Sequence, residues 1–150
     1  MGKVISKAPL PVKFEIIFQE LNNYNFNGYI VQSVKGNCIE EGALFFRGGE
    51  IVACIVECMT LKQTFKSDQA IEYFFNQTKG EGFFQAVELS RSQVDLVTAF
   101  DEKILITNKI SLKDLPKLIP DSFEAKFLIQ NEKDDLLGRF GLNVLKNQKN

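Results

Sequence analysis

The pair Gly48-Gly49 sits between two apolar runs, Gly42-Ala43-Leu44-Phe45-Phe46-Arg47 and Ile51-Val52-Ala53-Cys54-Ile55-Val56, and it constrains this chain more tightly than any other feature. Two adjacent residues that accept positive φ are what a two-residue type I′ or II′ hairpin turn needs, so the runs pair antiparallel. Upstream, Tyr29-Ile30-Val31-Gln32-Ser33-Val34 is rich in β-formers and lies between Gly28 and the turn signal Lys35-Gly36-Asn37. The spacing predicts a β-meander from Gly28 to Cys58. A regular register sets Arg47 opposite Glu50, Phe46 opposite Ile51, Phe45 opposite Val52, Leu44 opposite Ala53 and Ala43 opposite Cys54. One face then carries Ala43, Phe45, Val52, Cys54 and Val56, the other Leu44, Phe46, Ile51, Ala53 and Ile55. Both are apolar, so the sheet needs cover on both sides, from helices of this chain or from a second subunit.

Helical periods flank the meander. Phe14, Ile17, Phe18 and Leu21 recur at i, i+3, i+4, i+7, the stripe of a helix resting on a core. Ser67, as N-cap, and Gly80, at the C-terminus, bracket a second helix carrying Ile71, Phe74 and Phe75. Residues 82–89 read as a further strand. Ser90 and Gln93 have capping-box spacing, and Val97, Phe100 and Ile104 continue a third helix. A short helix is expected around 111–119, a strand over Phe123–Ile129, and a last helix through Leu136, Leu137 and Phe140. The fold class is therefore α+β: an antiparallel β-meander sheet packed with amphipathic helices in a single domain. Residues 1–11 are an extended lead-in, 12–142 the domain, and 143–150 a frayed tail.

A chain of 150 residues is long enough to bury a real core. With 14 Phe and no Trp, that core is built on Phe rings. Eighteen basic residues against 19 acidic leave a net charge of −1, which provides no field to gather nucleic acid or an acidic membrane. No apolar run reaches the 18 or so residues of a membrane span. With no signal-like start, the sequence points to the cytoplasm, and there the three cysteines, Cys38, Cys54 and Cys58, are expected as thiols.

The chain contains no histidine, which removes the commonest general base and the Ser-His-Asp and Cys-His constellations. Cys54 and Cys58 are four apart, about 13 Å along a regular strand, too far to share a metal. The regular register places Cys38 on the opposite face, so the thiols read as buried and inert. Glu40 falls opposite Glu57, a potential carboxylate dyad that reads more simply as a solvated sheet end. The glycine clusters match no phosphate-binding motif and read as turns. No catalytic, metal-binding or cofactor-binding residue is assigned, and no cofactor is expected.

Aromatic doublets at Phe45-Phe46, Phe74-Phe75 and Phe83-Phe84 leave one ring of each free to point away from the core. Phe46, Ile51, Phe75, Phe83 and Phe84 are therefore the candidate partner interface.

The order of these signals resembles the PATAN-type domain. The resemblance is carried by Phe26-Asn27-Gly28-Tyr29-Ile30, the Glu41 to Ala53 hairpin, Asp68-Gln69-Ala70-Ile71 and Gly80-Glu81-Gly82-Phe83-Phe84. Asp134-Asp135-Leu136-Leu137-Gly138-Arg139-Phe140-Gly141 is similar to a segment of uncharacterised archaeal proteins that share that core. The likeness implies a signalling or protein-interaction role without established catalytic residues, and this chain has no receiver domain beside it. The expectation is a non-enzymatic regulatory or scaffolding module with a protein partner, itself included as a homodimer. A small-ligand sensor is the alternative, and an enzyme of Lys or carboxylate chemistry a third.

Overall fold

Gly48 and Gly49 take φ of 59° and 79°, the paired positive values of a type I′ turn, and Arg47 faces Glu50 across it. The turn is tied to the preceding segment: Gly49 N donates to Phe26 O at 3.0 Å and Gly48 N to Asn27 Oδ1 at 2.8 Å. This computed structural model describes residues 2–11, 17, 21, 25–35, 39–59, 61–111, 114, 117 and 118. Within them run β1 (Lys3–Leu10), β2 (Gly28–Lys35), β3 (Ile39–Arg47), β4 (Glu50–Cys58), β5 (Gln63–Lys66), α1 (Asp68–Gln77), β6 (Gly82–Glu88), α2 (Arg91–Phe100), a 3-10 turn (Glu102–Ile104) and β7 (Leu105–Ser111).

The strands join one 7-stranded antiparallel sheet in the order β1-β6-β2-β3-β4-β5. Both β5 and β7 pair with the outer side of β4, β5 against residues 55–58 and β7 against residues 50–53. The result is an α+β domain in which the sheet dominates. Residues 3–10, expected as a lead-in, are an edge strand because β6 offers them a full ladder from Glu88 to Gly82. Residues 63–66, for which no strand was expected, and 105–111, expected in part as helix, add to β4 in the same way. Of the first predicted helix only Ile17 and Leu21 are described; both are helical, and Leu21 is buried. The predicted strand at 123–129, the last helix and the tail lie outside the described residues.

The β3–β4 register departs from the regular one after two pairs. Phe46 faces Ile51, but Phe45 then faces Ala53, Leu44 faces Cys54 and Ala43 faces Ile55. Val52 is the extra residue of a β-bulge, and a one-residue slip exchanges the faces of everything beyond it. Leu44, Phe46, Ile51, Cys54, Val56 and Cys58 consequently share one buried cluster with Ile30, Phe74 and Phe84. Phe45, Val52 and Ala53 join Val87, Leu89 and Val94 in a second one.

Each cluster has its own helix. Alpha-helix α1 presents Ala70, Ile71, Phe74 and Phe75 to the first, and Gln32 Nε2 donates to the Phe74 carbonyl at 3.1 Å from inside it. Gly42 makes the close approach possible, because a Cβ there would collide with the Gln77 carboxamide and meet Phe74 Cδ2 at 2.9 Å. Both amide atoms of Gln77 are buried without a hydrogen-bond partner among the described residues. Ser67 does not cap α1; its Oγ donates instead to the Leu105 carbonyl at 2.6 Å. The helix α2 starts with the predicted capping box, in which Gln93 N donates to Ser90 Oγ and Ser90 N to Gln93 Oε1. Its Val94 enters the second cluster.

Two substitutions test this packing by urea denaturation. Ser90→Ala is expected to lower stability by about 1 kcal/mol through loss of the cap. Gln77→Met is expected to raise it by about 1 kcal/mol, since an apolar side chain of similar length leaves no buried amide unbonded.

Candidate functional site

The bulge rearranges the chemistry that the sequence suggested. Glu40 faces Cys58, and Glu41 faces Glu57, so the Glu40–Glu57 pair does not form. Glu40 is 1% exposed and lies on the α1 side of the sheet, whereas Glu41 is exposed on the other side. The carboxylates that do face one another, Glu41 and Glu57, lie on the opposite side from Glu40, Glu41 exposed and Glu57 half-buried, a solvated pair at the end of the sheet.

Cys54 is a free, buried thiol, and burial pushes its pKa up, away from the reactive thiolate. Cys58 is also buried but is disulfide-bonded, which corrects the expectation that it is a thiol. Cys38 lies outside the described residues. Among the described residues no three His, Cys, Asp or Glu side chains are grouped to hold a metal ion.

The connection from β5 into α1 carries the densest set of polar contacts. Ser67 has φ 64° and ψ −142°, a backbone conformation that side chains larger than glycine rarely adopt. Around it Lys66 Nζ pairs with Asp101 Oδ2 at 2.6 Å, and Thr107 N donates to Asp68 Oδ1 at 3.0 Å. Thr107 Oγ1 donates to the other oxygen of the same carboxylate. Hydrogen bonds from Thr107 hold the Asp68 carboxyl below the usual aspartate range, and Lys66 does the same for Asp101. Ser67 Oγ spends its proton on a main-chain carbonyl, and among the described residues no base accepts it. These contacts fasten β7 and the 3-10 turn to the start of α1; they do not form a nucleophile–base pair.

The candidate interface residues separate by burial. Phe46, Ile51, Phe75 and Phe84 are buried in the first cluster and present no surface, because α1 covers the face of the sheet to which Phe46, Ile51 and Phe84 belong and Phe75 is on α1 itself. Phe83 alone is open, at 45% exposure on the opposite face of β6. Among the described residues the most exposed ring is that of Phe100, 83% exposed, one helical turn from Leu96 at 53%; Leu105, five residues on, is 41% exposed. The third helix was expected to run through Val97, Phe100 and Ile104, but α2 ends at Phe100, and Ile104 is buried from the 3-10 turn that follows. The signal was present as two stripes on α2, Val94 with Val97 and Leu96 with Phe100, at helical spacing but on different faces.

A pocket of about 290 Å³ opens at the C-terminal end of α1, lined by Lys35, Lys79, Gly80 and Glu81. It forms where Lys35 N donates to Glu81 O at 3.0 Å and Gly80 N to Gln77 O at 3.0 Å, joining the end of β2 to the turn after the helix. It lies at the sheet margin, away from the Phe-built core.

The sequence matches, over residues 2–101, a family described as an uncharacterized protein conserved in archaea (DUF2226). The chain belongs to this family, and the match runs from β1 through α2. No curated protein and no solved structure matches it.

The cysteine states predict that, in protein denatured without reductant, alkylation followed by peptide mapping labels Cys54 but not Cys58, and that both are labelled after reduction. In native protein Cys54 is expected to stay unlabelled. Because the Asp68 pKa is lowered by folding, its stabilising contribution is present above the unfolded value, about 3.9, and is lost as pH falls from there through the lower folded value. Thermal melts of Asp68→Asn are expected to lie below wild type at pH 7, with the gap narrowing as pH falls below about 4.

Proposed function

We propose that this member of the archaeal family is a non-enzymatic interaction module that acts as a homodimer through the outer face of α2. The observation that carries the reading is the exposed pair Leu96 and Phe100, one turn apart on a helix whose opposite side is already used against the sheet. A phenylalanine at 83% exposure leaves most of a large apolar ring in water, and burying such rings dominates interface energetics.

A second copy of the chain is the chosen occupant. A net charge of −1 lets two copies approach without long-range repulsion. A two-fold axis beside α2 would set each copy's Leu96 and Phe100 against the other's, the self-complementary contact of the commonest oligomers. The two apolar sheet faces, which had suggested a partner, support this reading less directly, since α1 and α2 of the same chain each pack against one. The resemblance to the PATAN-type domain favours a regulatory or signalling role for the module. A cytoplasmic location belongs to the same reading. Among the described residues no helix is long and apolar enough to cross a membrane.

Size-exclusion chromatography with light scattering is expected to give twice the 17.0 kDa chain mass at micromolar concentration. Phe100→Ser and Leu96→Ser, both at exposed positions, are expected to weaken the dimer by roughly ten- to a hundredfold without loss of fold. A wild-type chain that stays monomeric at about 100 μM, near the weak end of specific association, overturns the reading.

A further inference from the structure

We infer that the sheet face opposite α1, beyond the row that α2 covers, is the seat of this chain's own residues 139–149. The inference does not rest on the α2 dimer, which uses Leu96 and Phe100 on the outer face of that helix.

The strand registers map this face. Across β6, β2, β3 and β4 one row runs Val87, Tyr29, Phe45, Ala53, and α2 packs on it through Val94 and Val97. The next row runs Gln85, Val31, Ala43, Ile55, all half-buried. The third runs Phe83, Ser33, Glu41, Glu57, where Phe83 is 45% exposed and Glu41 is exposed. Ile39, two residues before Glu41 and so on the same face, is 62% exposed. Apolar surface thus lies beside two carboxylates set directly opposite one another, a placement of like charges that destabilises a sheet. Neither Glu41 nor Glu57 has an ion-pair partner among the described residues. The occupant that fits is both apolar and basic.

The chain carries such a segment among residues 119–150, which lie outside the described ones. From 139 to 149 it holds Arg139, Lys146 and Lys149, no acidic residue, and the apolar Phe140, Leu142, Val144 and Leu145. Residues 119–138 suit the face less, because Asp121, Glu124, Glu132, Asp134 and Asp135 outnumber Lys126 and Lys133 and bring more negative charge to the carboxylates. They serve as the connection. Fully extended they span roughly 65 Å, more than the roughly 40 Å across a folded chain of this size. The segment before β2 is committed elsewhere, since Ile17 and Leu21 pack in the α1 cluster. Seated on this face, residues 139–149 give Val31, Ala43 and Ile55 the apolar cover that α2 gives the neighbouring row, and they place cations at Glu41 and Glu57. A partner that uses the same face must displace the segment first.

The test is a nitroxide spin label placed through Asn147→Cys in isotope-enriched full-length protein and read by NMR. Wild-type protein treated with the same label is the control for the native cysteines. The amides of Ile39, Glu41, Ala43, Ile55 and Glu57 are expected to lose their signals, while those of α1, on the other side of the sheet, keep theirs. Glu41→Lys, at an exposed position, is expected to restore the signals by repelling the basic residues of the segment, and Phe140→Ser by removing its largest apolar contact. A mixture of spin-labelled protein without isotope and isotope-enriched protein without label is expected to show no loss. Loss in that mixture would make the occupant a second copy of the chain and overturn the inference. So would losses centred on another surface, losses spread evenly over the chain, or losses that Glu41→Lys leaves unchanged.

Discussion

One inserted residue, Val52, organises the interior of this protein. Without the bulge, β4 would present Ala53 and Ile55 to the α1 side and turn Cys54, Val56 and Cys58 away from it. With the bulge, Cys54, Val56 and Cys58 join Leu44 and Phe46 beneath α1, and Glu40 comes to lie opposite Cys58. The physical reason is the period of two: a single extra residue cannot be absorbed locally, so it changes the face of every side chain beyond it. The side chains of β4 beyond Val52 inherit the change, which sets Cys54, Val56 and Cys58 against the α1 cluster that holds Phe74.

The closeness of α1 to the sheet depends in turn on what is missing at Gly42. A helix rests on a strand at the distance its side chains permit, and at Gly42 no side chain intervenes. Gln77 occupies the space, and Gln32 reaches the main chain of the helix from below. The contacts at the other end of α1 are of a different kind. There Ser67, Asp68 and Lys66 tie the helix start to β7 and the 3-10 turn through exposed or half-exposed polar groups. One end of the helix is held by shape and the other by hydrogen bonds, so acid weakens chiefly the second.

The turn at Gly48-Gly49, the capping box at Ser90 and Gln93, and the helical stripe of Ile71, Phe74 and Phe75 could be read directly, because each is set by neighbours a few residues away. The strands β1, β5 and β7 could not. Each is short or weakly alternating, and becomes a strand only because β6 or β4 presents a free edge many residues distant in the chain. Burial of the aromatic doublets was likewise out of reach. Phe83 and Phe84 are adjacent, with one open and one enclosed, and which is which depends on the side of the sheet that α1 covers. The end of α2 was placed too late for a related reason: the spacing of Val97, Phe100 and Ile104 does not show that the chain leaves the helix at Asp101.

By itself, the sequence determined the antiparallel hairpin, the Phe-built interior, the lack of histidine chemistry and the near-neutral charge, since these follow from composition and from contacts within a turn. Only the tertiary structure decided which face each β4 side chain occupies, that Cys58 is disulfide-bonded while Cys54 is not, that Leu96 and Phe100 stand in water, and that Lys35, Lys79 and Glu81 meet around one pocket. Those outcomes rest on register, on strand edges and on the ends of helices, where residues far apart in the chain settle one another's positions.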